Sequence, residues 1–436
     1  MSAQKPSTQS PSAQNTSAQR LSAQSSSAQS SPTQSSSAQS RSAHSSSADS
    51  ASTQSSSAQT VSAHDRVPND VVSVTDYWTH AQQRLDPKAW AYFSGGAGDG
   101  QGLKKNEAAF EHYQIMPRVL QPMQKASTKV QIAGQSFAYP IMLAPVAWQG
   151  WAHPQGERAS AAAAAAMGAL YTISMQSNTA LEDIVAAAPQ GRYWFQWYWQ
   201  PEALDGAATQ DLWQRCVAAG VEAIVLTVDA PVQGLRDQER RAGQQRPSEL
   251  NTPHLEAFSS TMVQGAFAQP GHSPLFGSGL LGQAPTWSQV QDFIAACPLP
   301  VWLKGVLHPD DARLAVEVGA QGVIVSNHGG RQLAALPPAI DCLAAVVEAV
   351  GGQMPVLFDG GVRRGSDALI ALGLGAQMVG IGRPYVMALA VAGAAGVAHV
   401  LHLLRTELEV AMALAGCARI EQIGERLIMP PAGYID

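Results

Sequence analysis

The chain has 436 residues, 45% of them hydrophobic and 14% charged, which is enough apolar material for one large domain or two ordinary ones. Its 27 basic and 33 acidic residues leave a net charge of -6, so the composition argues against nucleic acid as a partner. Four cysteines, Cys216, Cys297, Cys342 and Cys417, lie far apart and form no Cys-x-x-Cys pair; they read as thiols of a reducing, cytoplasmic compartment.

Residues 1–64 repeat with a period of five, as in Ser12-Ala13-Gln14, Ser17-Ala18-Gln19 and Ser22-Ala23-Gln24, and contain no aromatic residue. A segment with so few large apolar side chains cannot offset the entropy of ordering its backbone, so it is expected to be a disordered tail. No apolar stretch follows Lys5, so it does not read as a secretory signal. The remainder, 65–436, is expected to be one domain.

Residues 71–96 predict two short helices, the second opened by Asp86 as N-cap and Pro87 at the first helical position, and stopped by Gly95-Gly96. From Tyr139 onward, short apolar runs alternate with helical stretches. Strands are predicted over 140–144, 170–173, 193–198, 223–228, 301–304, 322–326, 355–359 and 378–382. Helices are predicted over 157–167, 181–188, 212–219 and 287–296, and a polar stretch, 240–286, interrupts the alternation. Each of the last four strands is followed by a further helical segment, and the eight pairs predict an α/β fold, a closed (β/α)8 TIM barrel. The uncharged run 384–404, broken by Gly393, Gly396, His399 and His402, predicts a buried amphipathic helix rather than a membrane span.

In such a barrel, chemistry belongs at the C-terminal ends of the strands. There the polar residues are Ser174, Gln196, Tyr198, Thr227, Asp229, Lys304, Ser326, His328, Arg331, Asp359 and Arg383. Any one of them alone is ordinary for a solvated loop; their convergence on one rim is not. Two glycine-rich turns, Asp359-Gly360-Gly361-Val362-Arg363-Arg364-Gly365 and Gly380-Ile381-Gly382-Arg383-Pro384, follow adjacent strands at the place where barrels hold a phosphate. His328 has the only side chain on this rim that titrates near neutrality, which suits a general base, and Asp229 is placed to fix its tautomer. Arg236 and Arg331 can clamp a small carboxylate between them. No cluster of His, Cys and carboxylates has metal-ligand spacing.

The motifs Tyr92-Phe93-Ser94-Gly95-Gly96-Ala97, Ala144-Pro145-Val146-Ala147, Trp194-Phe195-Gln196, Thr227-Val228-Asp229, Leu303-Lys304-Gly305-Val306, Ser326 to Gln332 and Asp359 to Gly365 come in one order. Through them the chain, from about Val71 onward, resembles the FMN-dependent α-hydroxy-acid oxidases and dehydrogenases, which include glycolate oxidase, lactate oxidase, lactate monooxygenase and mandelate dehydrogenase. The resemblance implies that His328 is the catalytic base and Asp229 its partner. It implies that Tyr92, Arg236 and Arg331 bind the carboxylate, that Tyr198 meets the substrate hydroxyl, and that Lys304 lies beside the flavin N1 and O2 atoms. FMN would contact Val146, Ala147, Ser174, Gln196, Thr227, Lys304 and Ser326, with Asp359, Gly361, Arg363, Gly382 and Arg383 around its ribityl chain and phosphate.

The implied reaction oxidises an L-2-hydroxy acid to the 2-oxo acid and passes electrons through FMN to O2, giving hydrogen peroxide. A homotetramer is also implied. The sequence departs from the family pattern at Ala334, where many members carry Asp, and at Gln176 and Gln233, which would face the substrate side chain. Within the family, the alternatives are a dehydrogenase using a quinone and a lactate-type monooxygenase. Ala147 at the position approaching flavin N5, and the lack of a long apolar docking segment in 240–286, favour the oxidase. From other classes, an inactive barrel with a functional tail leaves the intact polar set without a purpose. An FMN isomerase of isoprenoid diphosphates explains the phosphate turns but not the pairing of His328 with Arg331.

Overall fold

The computed structural model describes residues 65–200, 206–243, 247–258, 273, 275, 276 and 280–429. The tail predicted over 1–64 lies outside these residues. Eight parallel strands close on themselves: β1 Ile141–Leu143, β2 Leu170–Ser174, β3 Arg192–Tyr198, β4 Ala223–Thr227, β5 Val301–Val306, β6 Gly322–Val325, β7 Val356–Asp359 and β8 Val379–Ile381. Each pairs with its successor, and β8 returns to β1 through Val379↔Ile141 and Ile381↔Leu143. The corresponding helices are α1 Gly156–Met167, α2 Leu181–Ala187, α3 Ala207–Ala218, α4 Trp287–Ala296, α5 Pro309–Glu317, α6 Ala339–Val350, α7 Gly365–Gly373 and α8 Arg383–Ala415.

The strands are apolar on both faces because side chains fill the barrel on one face and helices cover the other. Every residue of β2 and β4 is buried. Inside, Trp194 and Trp302 stack with ring centres 4.7 Å apart, and burying a side chain of this size contributes roughly 1.5–3 kcal/mol. A β-carbon on Gly322 would meet the Trp302 ring at 2.2 Å, so the bare backbone at the start of β6 is what admits that indole. Outside, the alanine run of α1 lets α8 pack closely against it.

The second N-terminal helix, Pro87–Ser94, starts as its sequence predicts: the Asp86 carboxylate accepts from the amides of Lys88 and Ala89 at 2.9 and 3.1 Å, and Pro87 occupies the first turn. The helix predicted over 384–404 is found, extended to Arg383–Ala415 and broken at Ala392 and Gly393. It is long and apolar enough to cross a membrane by length and composition, yet 67% of its most apolar window is buried inside the protein, as in a core helix. Two further boundaries shift by more than one residue. α3 starts at Ala207 rather than 212, and β5 runs past Lys304 to Val306 with an irregular register. The helix Gln101–Ala108 and two small sheets, Gln114–Ile115 with Ile428–Met429 and Val130–Ile132 with Gln135–Phe137, were not predicted. The first is mostly polar, and the strands are too short to show a period.

All four cysteines are free. Burial pushes the Cys297 and Cys342 thiols up to about 11, so they stay protonated and weakly nucleophilic at neutral pH.

Candidate active site

The C-terminal rim of the barrel opens into a cavity of about 1240 Å³. It is lined by Tyr92, Val146, Ala147, Ser174, Gln196, Tyr198, Thr227, Arg236, Lys304, His328, Arg331, Asp359, Gly361, Arg363, Gly382 and Arg383. Of the residues singled out from the sequence, Asp229 and Ser326 stand just behind this wall.

His328 follows β6 in a left-handed turn, with φ +57 at His328 and +60 at Gly329. A non-glycine residue in this region carries about 1–2 kcal/mol of strain, and the Ser326 hydroxyl helps hold it there by accepting from the His328 amide at 3.0 Å. The imidazole Nδ1 lies 3.0 Å from Asp229 Oδ1. Opposite an ionised carboxylate Nδ1 carries the proton, which leaves Nε2 as the acceptor. Burial pushes the His328 pKa below the usual imidazole value, with Asp229 opposing that shift. Burial also works against the Asp229 carboxylate, but His328 and Lys304 outweigh it and hold its pKa below the usual range. The resting pair is therefore a carboxylate and a neutral imidazole. Gly305, at φ +109, makes the arrangement possible, since a β-carbon there would meet the Asp229 side chain at 2.5 Å.

Beside this imidazole, Arg236 and Arg331 come together. The Arg236 Nε–H donates to the Arg331 carbonyl at 3.2 Å. Arg331 Nη1 donates to the carbonyls of Tyr92 and Gly95 at 2.6 and 2.9 Å, and its guanidinium lies 4.7 Å over the Tyr92 ring. Between the two arginines sits Glu239, 2.9 Å from Arg331 and 3.3 Å from Arg236. Sequence reasoning missed it: only the structure puts it on a short helix, Asp237–Arg241, three residues from Arg236. Burial pushes the Tyr198 phenol up, so it remains a donor. Tyr92 packs on Trp148 and Trp151, ring centres 4.9 and 5.8 Å apart, and both indoles line the cavity with Gln176 and Gln233. Neither tryptophan was singled out from the sequence, although Trp148 directly follows the Ala144-Pro145-Val146-Ala147 motif and Trp151 comes three residues later.

The remaining wall is a chain of polar contacts. Ser174 donates to Gln196 at 3.1 Å, and Gln196 donates to Thr227 at 3.0 Å. Lys304 Nζ donates to Ser326 at 2.8 Å and pairs with Asp359 at 3.1 Å. At the far end, Arg363 pairs with Glu107 at 2.6 Å. Among the described residues, Arg383 donates to carbonyls alone, those of Phe93, Gly95 and Gly329 at 3.1, 2.6 and 2.8 Å. Burial lowers the pKa of both guanidiniums, and Arg331 and Arg363 add to the effect on Arg383. An enclosed guanidinium with no carboxylate among the described residues, at the N-terminus of α8 where no side chain caps the helix, fits a phosphate in charge and in donor geometry.

A barrel that offers a phosphate cradle at β7 and β8 and, along the same cavity, a base beside paired guanidiniums is laid out for a phosphorylated cofactor next to a small carboxylate. Residues 81–430 match the family model described as FMN-dependent dehydrogenase, and the chain belongs to that family, with FMN as its cofactor. It is 44% identical to the L-lactate oxidase of Alicycliphilus denitrificans over 368 residues, 84% of this chain and 98% of that protein. It is 39% identical to glycolate oxidase 1 of Zea mays over 362 residues, 83% and 96% of the two chains. Among solved structures, a mandelate oxidase with benzoyl-formic acid superposes with a TM-score of 0.73 at 39% identity, covering 84% of this chain and 99% of that one.

Proposed function

We propose that this protein oxidises an L-2-hydroxy acid to the corresponding 2-oxo acid, with O2 as the electron acceptor and hydrogen peroxide as the product. The observation that carries the reading is the His328–Asp229 pair opening into the same cavity as Arg236 and Arg331. The two guanidiniums hold the substrate carboxylate. His328 Nε2 accepts the hydroxyl proton, Asp229 stabilises the imidazolium that results, and the Tyr198 hydroxyl orients the substrate oxygen. Bound FMN supplies the two-electron acceptor and, once reduced, the donor to oxygen. Val146, Ala147, Ser174, Gln196, Thr227, Lys304 and Asp359 would hold its ring and ribityl chain, with Ser326 behind them hydrogen-bonded to Lys304 and Asp359, and Gly361, Arg363, Gly382 and Arg383 would hold its phosphate.

Relatives named L-lactate oxidase and glycolate oxidase support the oxidase over the dehydrogenase. The free thiols support a cytoplasmic location, and the low charge content is compatible with burial of subunit contacts in a homotetramer. The test is an anaerobic screen of 2-hydroxy acids for bleaching of the FMN-loaded protein, repeated in air with peroxide detection. Bleaching by an L-acid and stoichiometric peroxide are expected; bleaching that re-oxidises in air without peroxide would replace the oxidase with another outcome for the same half-reaction.

A further inference from the structure

Glu239 has no part in the proton transfer described above, yet it is only 6% exposed and lies between the two arginines that line the substrate end. Its Oε1 is 2.9 Å from Arg331 Nη2 and 3.3 Å from Arg236 Nη1, and its Oε2 is 3.4 Å from the same Arg236 nitrogen. One buried and one largely enclosed guanidinium side by side repel each other. Burial and the Arg331 charge both push the Arg236 pKa down, and Glu239 is the first group that opposes them. The donors are also sorted. Arg331 commits both protons of Nη1 to Tyr92 and Gly95, and Arg236 commits its Nε–H to the Arg331 carbonyl. Glu239 takes one donor from each arginine. Among the described residues, Arg236 Nη2, Arg331 Nε and the second proton of Arg331 Nη2 remain for a ligand.

We infer that Glu239 is a positioning residue that both aligns the carboxylate clamp and sets its charge. By cancelling one of two positive charges it leaves the clamp with a net single positive charge, matched to a monocarboxylate and poorly matched to a dicarboxylate. Lys304 pairs with Asp359 at 3.1 Å and the Asp229 carboxylate faces His328, so among the described residues Glu239 is the acid in direct contact with the two arginines. Glu249 and Glu256 line the same cavity and oppose a second carboxylate. The inference rests on the proposed function, because it assigns the substrate class at that site: a 2-hydroxy acid with one carboxylate and an uncharged side chain.

The experiment titrates the FMN-loaded protein with propionate and malonate, which share a three-carbon skeleton and differ by one charge, and follows the flavin absorbance without turnover. The wild type should prefer propionate. In Glu239→Gln the malonate-to-propionate affinity ratio should rise about tenfold, since the lost charge acts at contact distance. Glu239→Asp keeps the charge but is one methylene shorter and cannot span both arginines. Its KM for the hydroxy acid should rise about tenfold with kcat within about threefold of wild type, and the preference for propionate should persist. A flavin-loaded Glu239→Gln protein with the wild-type ratio overturns the inference, as does Glu239→Asp with wild-type KM, which decides alone if the Gln variant does not fold. A wild-type chain that binds propionate but oxidises no hydroxy acid would refute the proposed function and leave the charge assignment standing.

Discussion

The imidazole of His328 shows how much of the site rests on single side chains. A base works only when unprotonated, so activity is lost as pH falls through its pKa. Burial places that pKa below about 6.5, the ordinary imidazole value, and the acid limb of kcat/KM is expected below it. Asp229 holds the His328 pKa up. Asp229→Asn should therefore move the limb to still lower pH while kcat falls by roughly 10²–10⁴-fold, because the protonated ring loses its partner. A limb that moves to higher pH would contradict the assignment. His328→Gln should still carry FMN but be bleached anaerobically slower by a similar factor, on the order of 10²–10⁴. At this scale the reactive residues were legible because each stands at the end of an apolar strand. Glu239 was not, since a lone acid in a polar segment is ordinary until tertiary structure places it against Arg331.

Among the elements, α8 combines two functions. Its body is a buried apolar core helix, and its uncapped N-terminus meets the cavity at Arg383. If that end holds the phosphate, Arg383→Leu should weaken FMN binding by about tenfold or more, the size expected for loss of a charge-assisted contact. It should leave riboflavin, which lacks the phosphate, bound as in the wild type. Equilibrium dialysis with both flavins reads this directly, and equal weakening for the two would remove the phosphate assignment. The eight strands were legible because burial on both faces makes their sequences continuous apolar runs. The missed helix, Gln101–Ala108, is five-eighths polar or charged; it packs against the turn at His328–Gly330, where a β-carbon on Gly330 would come within 2.7 Å of the Leu103 backbone. No periodicity in its own sequence announces that contact.

For the whole molecule, every residue assigned to the site lies between Tyr92 and Arg383, so the repeat at 1–64 should be dispensable for chemistry. Deleting it should leave turnover, FMN affinity and Tm unchanged; a loss of more than a few degrees in Tm would give the segment a structural role. The helix Pro87–Ser94 and the glycines after it lie outside the barrel strands and yet touch both ends of the cavity. The carbonyls of Tyr92 and Gly95 receive Arg331 at the substrate end, and those of Phe93 and Gly95 receive Arg383 at the phosphate end. On the proposed assignment one short peptide serves two ligands, and free-energy linkage is reciprocal. Whatever factor FMN contributes to the grip on the acid by ordering this peptide, the acid returns to FMN: a well-fed enzyme keeps its cofactor longest.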